Sequence, residues 1–142
     1  MKTLMSLLLL VAFLWLGAET ASACSCAPAR SAADELERST AVFSGKVVEI
    51  RSRKQSGNIF RGVEVVFRVE KAWKGVKGRT VSVFTASHGA ACGYGFTQGR
   101  TYLVYAYGAA DGWLSTNICS RTRRLKDARE DVNELNKSSG AR

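Results

Sequence analysis

Val63-Glu-Val-Val-Phe-Arg-Val-Glu70 is the stretch of this sequence whose pattern says most about its fold. Apolar residues stand at positions 63, 65, 67 and 69, and all but one of the residues between them are charged. A period of two is the pattern of a β-strand that has one face against a core and the other in solvent. The stretch therefore predicts a half-buried strand of a sheet.

The rest of the chain after residue 23 has a composition that favours the same fold class. Residues 24–142 include 12 Val but only 5 Leu, and β-branched residues are enriched in strands. Gly45 marks a bend or bulge in the first strand. Further strands are predicted over residues 41–50, 80–85, 101–107 and 113–116. Polar and glycine-rich stretches are predicted to connect them at residues 51–62, 73–78 and 86–99.

Two helices are predicted at the ends of this β-rich body. Residues 31–39 begin with Ser31 and carry acids in the first turn, which predicts a short helix. A helical spacing of apolar residues predicts a second helix over residues 122–136, at Leu125, Ala128, Val132 and Leu135. Residues 137–142 are predicted to be a disordered tail. Five strands and two helices suit a single mainly β domain over residues 24–136, which we expect to be a monomer. A small five-stranded Greek-key barrel is the expected architecture, and a β-sandwich is the alternative.

The first 23 residues have the organisation of a secretory signal peptide. Lys2 precedes an apolar run over residues 4–16, and Ala21 and Ala23 are small residues at the positions that a signal peptidase reads. A transmembrane helix needs roughly 20 apolar residues, so we expect no transmembrane segment. The expected protein is secreted, to the periplasm or the extracellular space, and its mature chain begins at Cys24. Acylation of Cys24, as in a lipoprotein, is the alternative.

Four cysteines, Cys24, Cys26, Cys92 and Cys119, would lie in an oxidising compartment after export. An even number of cysteines there normally forms disulfides. Cys24 and Cys26 are too close in sequence to bond to each other without strain. One of them is therefore expected to bond to Cys92 and the other to Cys119, and this reasoning leaves the order open. A zinc site of four thiolates is the alternative, but such sites use Cys-x2-Cys pairs, which this sequence lacks.

The charge and the residue types argue for some partners and against an enzyme. The chain of 142 residues holds 21 Lys and Arg against 12 Asp and Glu, a net charge of +9, which favours an anionic polysaccharide or an acidic surface as partner. His88 is the one histidine, and no nucleophile motif or phosphate-binding loop is present. We expect no enzymatic activity, no cofactor and no nucleic-acid partner. The candidate basic patch comprises Arg51, Arg53, Lys54, Arg61, Arg121, Arg123 and Arg124.

Three tyrosines lie along the predicted strand over residues 101–107, at Tyr102, Tyr105 and Tyr107. Exposed aromatic residues on a strand could stack against nucleic-acid bases or sugars. Aromatic residues in a strand more often pack against a core, so we interpret these tyrosines as structural. His88 could contact a partner, but a single histidine in a loop is more often an ordinary loop residue, which is how we interpret it.

Four stretches of the sequence after residue 23 together resemble a known family. They are Cys24-Ser-Cys-Ala-Pro28, Val42-Phe-Ser-Gly-Lys-Val-Val48, Phe67-Arg-Val-Glu-Lys-Ala-Trp-Lys-Gly75 and Cys92-Gly-Tyr-Gly-Phe-Thr-Gln-Gly-Arg-Thr-Tyr-Leu-Val104. The chain resembles the inhibitory N-terminal domain of tissue inhibitors of metalloproteinases (TIMPs), and more closely the TIMP-like, netrin-module proteins of bacteria. The most specific part of the resemblance is the Cys-x-Cys at the predicted cleavage point.

The resemblance implies an OB-fold barrel with disulfides from Cys24 to Cys92 and from Cys26 to Cys119. In the family, the α-amino nitrogen and carbonyl oxygen of the N-terminal cysteine chelate the catalytic zinc of a metalloprotease and displace its water. Carried over to this chain, the chelating residue is Cys24, and the target is a zinc metalloprotease. A non-inhibitory binding module that uses the basic patch is the alternative function. The rest of the implied inhibitory edge consists of Ser25, Cys26, Ala27, Pro28, Ala90 and Ala91.

Overall fold

The computed structural model describes residues 24–54, 61–87, 92–108 and 113–140. The elements in chain order are α1 (Ala32–Arg38), β1 (Ala41–Lys54), β2 (Arg61–Lys74), β3 (Thr80–Ala86), β4 (Thr101–Gly108), β5 (Leu114–Ser115), β6 (Arg123–Arg124), a 3-10 helix (Leu125–Asp127) and α2 (Arg129–Gly140). The prediction of a mainly β protein with a helix near each end of the body is confirmed. The predicted signal peptide and three predicted loop residues lie outside the described residues, namely His88, Ala90 and Ala91.

Five of the strands pair in a ring. β1 pairs antiparallel with both β2 and β4, and β2 pairs antiparallel with β3. β5 joins the two remaining edges, antiparallel to β4 and parallel to β3, where Phe84 lies opposite Ser115. β6 pairs with β4 as a sixth strand that the sequence did not predict. The described strands thus form one sheet, whereas the alternative sandwich would need two.

The inside of the ring is the first of two apolar cores. The alternation along β2 is confirmed, because Val65 and Phe67 are fully buried there together with Phe43 of β1. The rings of Phe43 and Phe67 meet edge to face, with their centroids 5.4 Å apart, an arrangement that aromatic quadrupoles favour. The cleanest pattern in the sequence therefore corresponds to the centre of the fold.

The second core lies between the sheet and the two helices. Val42 of β1 and Leu103 and Tyr105 of β4 face this side, where they pack with Leu36 of α1 and Leu135 of α2. Successive side chains of a strand point to opposite faces, so residues 41–45 of β1 and 102–106 of β4 are buried on both faces, whereas Arg68 and Glu70 of β2 are exposed. This explains why residues 102–106 are buried without alternation.

The start of α1 and the bend in β1 agree with their sequence signals. The Ser31 hydroxyl accepts a hydrogen bond from the amide of Asp34 at 3.0 Å, as an N-cap does. The register between β1 and β2 shifts between Ser44 and Gly45, which is the bulge predicted there.

The predicted loop over residues 51–62 is wrong at both of its ends. β1 continues to Lys54 and β2 begins at Arg61, and these two residues lie opposite each other. The basic side chains that suggested a solvated loop instead accompany a longer hairpin, in which Arg53 bonds to Glu64 across the strands. The predicted connection over residues 73–78 is also shorter than expected, since β2 includes residues 73 and 74.

The predicted helix over residues 122–136 begins later and ends later than expected. Residues 123 and 124 pair with β4, and the 3-10 helix separates them from α2, which begins at Arg129. The open edge of β4 offers backbone hydrogen bonds that helical periodicity does not reveal. Leu125 and Ala128 still contact the second core, which explains their spacing. Residues 137–140 belong to α2, so the predicted disordered tail is wrong for them.

Candidate functional site

Two disulfides hold the start of the described chain against the body. Cys24 bonds to Cys92 and Cys26 bonds to Cys119, with Cα–Cα distances of 5.7 and 5.2 Å. This is the pairing that the resemblance implies, and it decides between the two orders that the sequence left open. All four cysteines are paired, so they offer no thiolate to a zinc ion, and the four-thiolate zinc interpretation is wrong.

The segment between the disulfides and α1 lies on the surface. Residues 25–30 are all exposed and have no helical or strand structure, whereas Cys24 is half-buried. Ser25, Ala27 and Pro28 of the implied inhibitory edge are therefore accessible to a partner. Ala90 and Ala91, the other two edge residues with no disulfide, lie in the part of the chain that is not described.

The far end of this segment has its own anchor. The Arg121 guanidinium donates a hydrogen bond from Nη1 to the carbonyl oxygen of Arg30. The same guanidinium forms a two-point ion pair with Asp131 of α2, Nη2 to Oδ1 at 2.6 Å and Nε to Oδ2 at 2.9 Å. Residues 24–30 are thus attached to the body at their first residue, at Cys26 and at their last residue.

Burial and the charge of Asp131 raise the pKa values of two groups at this anchor, Arg121 and Tyr105. Arg121 donates hydrogen bonds to the carboxylate of Asp131, whose side chain is 3% exposed, and this pairing raises the pKa of Arg121 above its ordinary value. Tyr105 donates from its hydroxyl to Asp131 Oδ2 at 3.3 Å, and burial raises the pKa of this tyrosine. Both groups therefore keep their protons at neutral pH, and the carboxylate of Asp131 accepts hydrogen bonds from both.

An exposed apolar residue that the sequence analysis did not single out lies beside the disulfides. Ile118 is 44% exposed, and its amide donates to the carbonyl oxygen of Cys92 at 2.9 Å. It also directly precedes Cys119 in the sequence, so it borders the partner cysteines of both Cys24 and Cys26. That position next to Cys119 is the sequence signal that could have identified it.

The members of the predicted basic patch belong to two different parts of the fold. Arg51 and Arg53 belong to the β1–β2 hairpin, where Arg51 pairs with Glu49 at 2.6 Å and Arg53 with Glu64 at 2.6 Å. The hydrogen bond from Arg53 lowers the pKa of Glu64, which is buried. Lys54 and Arg61 lie opposite each other on the same hairpin, and their side chains are outside the description.

The other three members of the predicted patch lie near the start of α2. Arg121 presents little free charge at the surface, because it pairs with Asp131 and its side chain is only 18% exposed. Arg123 and Arg124 are half-buried on β6 beside β4. Arg124 also lines an open groove at the start of β4.

The tyrosines of β4 are structural, as interpreted. Tyr102 and Tyr105 are fully buried, one in each core. Tyr107 is half-buried and donates a hydrogen bond to Glu35 of α1. Burial raises the pKa of Tyr107 to about 12. Tyr102 and Tyr105 therefore offer no open ring face for stacking.

Among the described residues, no three His, Cys, Asp or Glu side chains come together as a metal site. Within the same residues, no helix has the length and apolar character needed to cross a bilayer. No protein-family model matches the chain, and no curated protein sequence matches it either.

Proposed function

We propose that the mature chain begins at Cys24 and inhibits zinc metalloproteases in the manner of a TIMP-like, netrin-type protein. The observation that supports this most is the pair of disulfides that fixes an exposed segment, beginning at Cys24, to the body of the protein. A segment fixed in this way can enter a cleft with little loss of conformational entropy.

The chemistry of the proposal lies in the backbone of Cys24. A catalytic zinc in a metalloprotease has three protein ligands and a fourth position that holds the reactive water. A free α-amino nitrogen and the carbonyl oxygen of the same residue can chelate that zinc together and remove the water. The Cys24 sulfur takes no part, because it is bonded to Cys92.

The amine must be neutral when it binds zinc. A model α-amino group has a pKa of about 7.7 to 8.0, so a zinc ion displaces its proton readily near neutral pH. In the same proposal, Ser25 enters the primed-side pocket of the protease, and residues 26–28 follow the cleft as a substrate would. The resemblance also assigns Ala90 and Ala91 to the inhibitory edge.

We extend the proposal to the fold and the location of the protein. A ring of five strands, with β4 returning beside β1, supports an OB-fold barrel. Two disulfides support an oxidising compartment, and the sequence of residues 1–23 supports export. Acylation of Cys24 would block the nitrogen, so inhibition requires a free amine at that residue.

One added residue before Cys24 tests the mechanism. We compare the protein that begins at Cys24 with a variant that carries a single alanine in front of it, against a panel of zinc metalloproteases. The added peptide bond removes the basic amine, so we expect inhibition to weaken by about 100-fold or more, equivalent to about 2.8 kcal/mol of binding free energy.

Intact mass and thermal unfolding control this comparison. Both proteins should contain no free thiols and unfold at the same temperature, since the extension lies outside the disulfide loops. Equal inhibition by the two proteins would show that chelation is not the mechanism. If the protein that begins at Cys24 inhibits no protease, the alternative of a non-inhibitory module with a basic binding surface takes its place.

A further inference from the structure

An open groove lies where the turn before β4 meets β6 and the 3-10 helix. Its volume is about 560 Å³. Three of the six residues that line it carry a positive charge, and none carries a negative one. We call it the basic groove, and it is lined by Gly99, Arg100, Thr101, Arg124, Leu125 and Lys126.

The charges of the basic groove are not neutralised by the neighbouring structure. In the described ranges, the ion pairs involve Arg51, Arg53 and Arg121 and leave Arg100, Arg124 and Lys126 without a carboxylate partner. Arg100 and Lys126 are also exposed to solvent, and Arg124 is half-buried. The groove is therefore a place where unpaired positive charge is concentrated.

Two carboxylates lie near the groove without cancelling this charge. The Thr101 hydroxyl is 3.5 Å from Oε1 of Glu70. Asp127 follows Lys126 in the 3-10 helix and is exposed. These two negative charges are fewer than the three positive charges that line the groove.

Two further cations lie on neighbouring strands, but they belong to a different face of the sheet from Arg124. Lys46 of β1 lies directly opposite Thr101 of β4, and Arg68 of β2 lies directly opposite Lys46. Residues that face each other across antiparallel strands share a face of the sheet, so Lys46 and Arg68 lie on the face of Thr101. Arg124 lies opposite Tyr102 and therefore on the other face. The cations available to a ligand of the groove are thus the three that line it.

The groups present favour a tetrahedral oxyanion. One guanidinium group can donate two parallel hydrogen bonds to the oxygens of a sulfate or phosphate, and a lysine adds a compact positive charge. The aromatic residue nearest in the strand, Tyr102, is buried, so the groove offers no surface on which nucleic-acid bases stack. We propose that the basic groove binds a sulfate or phosphate monoester of a polysaccharide.

The test compares two variants that remove the same charge from different places. R100S/K126S removes two exposed cations of the groove. R38S/K137S removes two exposed cations from α1 and α2. Binding is measured by calorimetry to three probes of equal length: a heparin-derived oligosaccharide, a phosphomannan oligosaccharide, and a polygalacturonate oligosaccharide that carries only carboxylates.

We expect R100S/K126S to bind the sulfated or the phosphorylated probe about 10-fold or more weakly than the unchanged protein, whereas R38S/K137S changes affinity less than about 2-fold. The slope of log affinity against log salt should fall by about two in the groove variant alone. The tighter of the two probes identifies the natural anionic group. Equal losses in both variants, or binding of polygalacturonate as tight as that of the tighter probe, would overturn the proposal.

The proposal does not depend on protease inhibition. Both variants keep Cys24 and its disulfides, so a chain that inhibits no protease can still bind the oligosaccharide, and the reverse also holds. The inhibition assay on R100S/K126S separates the two functions directly, because we expect its inhibition of isolated protease to equal that of the unchanged protein.

Discussion

Arg121 and Arg51 show how the surroundings of one residue decide what its charge does. The pair of Arg121 with Asp131 has side chains 18% and 3% exposed, whereas the pair of Arg51 with Glu49 has side chains 48% and 47% exposed. Both pairs have an oxygen–nitrogen distance of 2.6 Å. The difference between them is therefore the solvent, which screens an exposed pair and leaves a buried charge dependent on its partner.

Neutralising one partner of each pair tests this difference. D131N leaves the guanidinium of Arg121 largely buried without a counter-charge, and we expect the free energy of unfolding to fall by about 3 kcal/mol. E49Q is the matched control. It should leave the midpoint of urea unfolding unchanged, because water solvates both Glu49 and Arg51 in the exposed pair. Equal effects of the two substitutions on urea unfolding would contradict this account. D131N should also make residues 25–30 more susceptible to proteolysis, because Asp131 positions the guanidinium of Arg121 that bonds to the carbonyl oxygen of Arg30.

Two turns at the ends of strands depend on glycine. Gly75 follows β2 and Gly99 precedes β4, and both have positive φ angles, 71° and 79°. A Cβ at Gly75 would lie 2.1 Å from the carbonyl oxygen of Thr40, whereas a Cβ at Gly99 would have no neighbour within 4 Å. The first turn is therefore packed against the chain that enters β1, and the second is open.

The same substitution at these two turns separates conformational strain from a steric clash. We expect G99A to cost about 1 to 2 kcal/mol, which is the cost of a left-handed backbone conformation for alanine. G75A should cost clearly more, because the backbone at Thr40 must also move. Thermal unfolding of both variants shows which substitution lowers the stability more. An equal loss of stability would show that the backbone at Thr40 moves away from the new Cβ at no cost.

At the scale of the whole molecule, the disulfides connect distant parts of the chain. The bonds span 68 and 93 residues, and the ring of strands closes through one pair, Phe84 with Ser115. Cross-links over long loops reduce the conformational entropy of the unfolded chain. The bonds thus stabilise the molecule as a whole and also fix the exposed segment at its start.

Removing one disulfide at a time tests this contribution. C26S/C119S and C24S/C92S should each lower the free energy of unfolding by about 4 to 5 kcal/mol, because the entropy depends only on the logarithm of loop length. Chemical unfolding under oxidising conditions measures both values. A much smaller loss of unfolding free energy in either variant would mean that the segments joined by that disulfide stay close together in the unfolded chain without it.

The sequence by itself determined what depends on neighbours along the chain. The alternation at residues 63–69 located the central strand, Ser31 located the start of α1, and Gly45 located the bulge of β1. The residues of the exposed segment were also predictable, since they lie around Cys24 and Cys26. These features follow from side-chain direction and backbone preference, which act over a few residues.

Only the tertiary structure decided which charges are free and where the last helix begins. Arg121 is neutralised by Asp131, and residues 123 and 124 pair with β4, about 20 residues earlier in the chain. Lys46 and Thr101 come together from positions 55 residues apart (101 minus 46). The sequence shows which residues are basic, but the acidic residues that pair with them belong to other elements of the fold. For that reason the basic groove follows from strand register and packing rather than from any local motif.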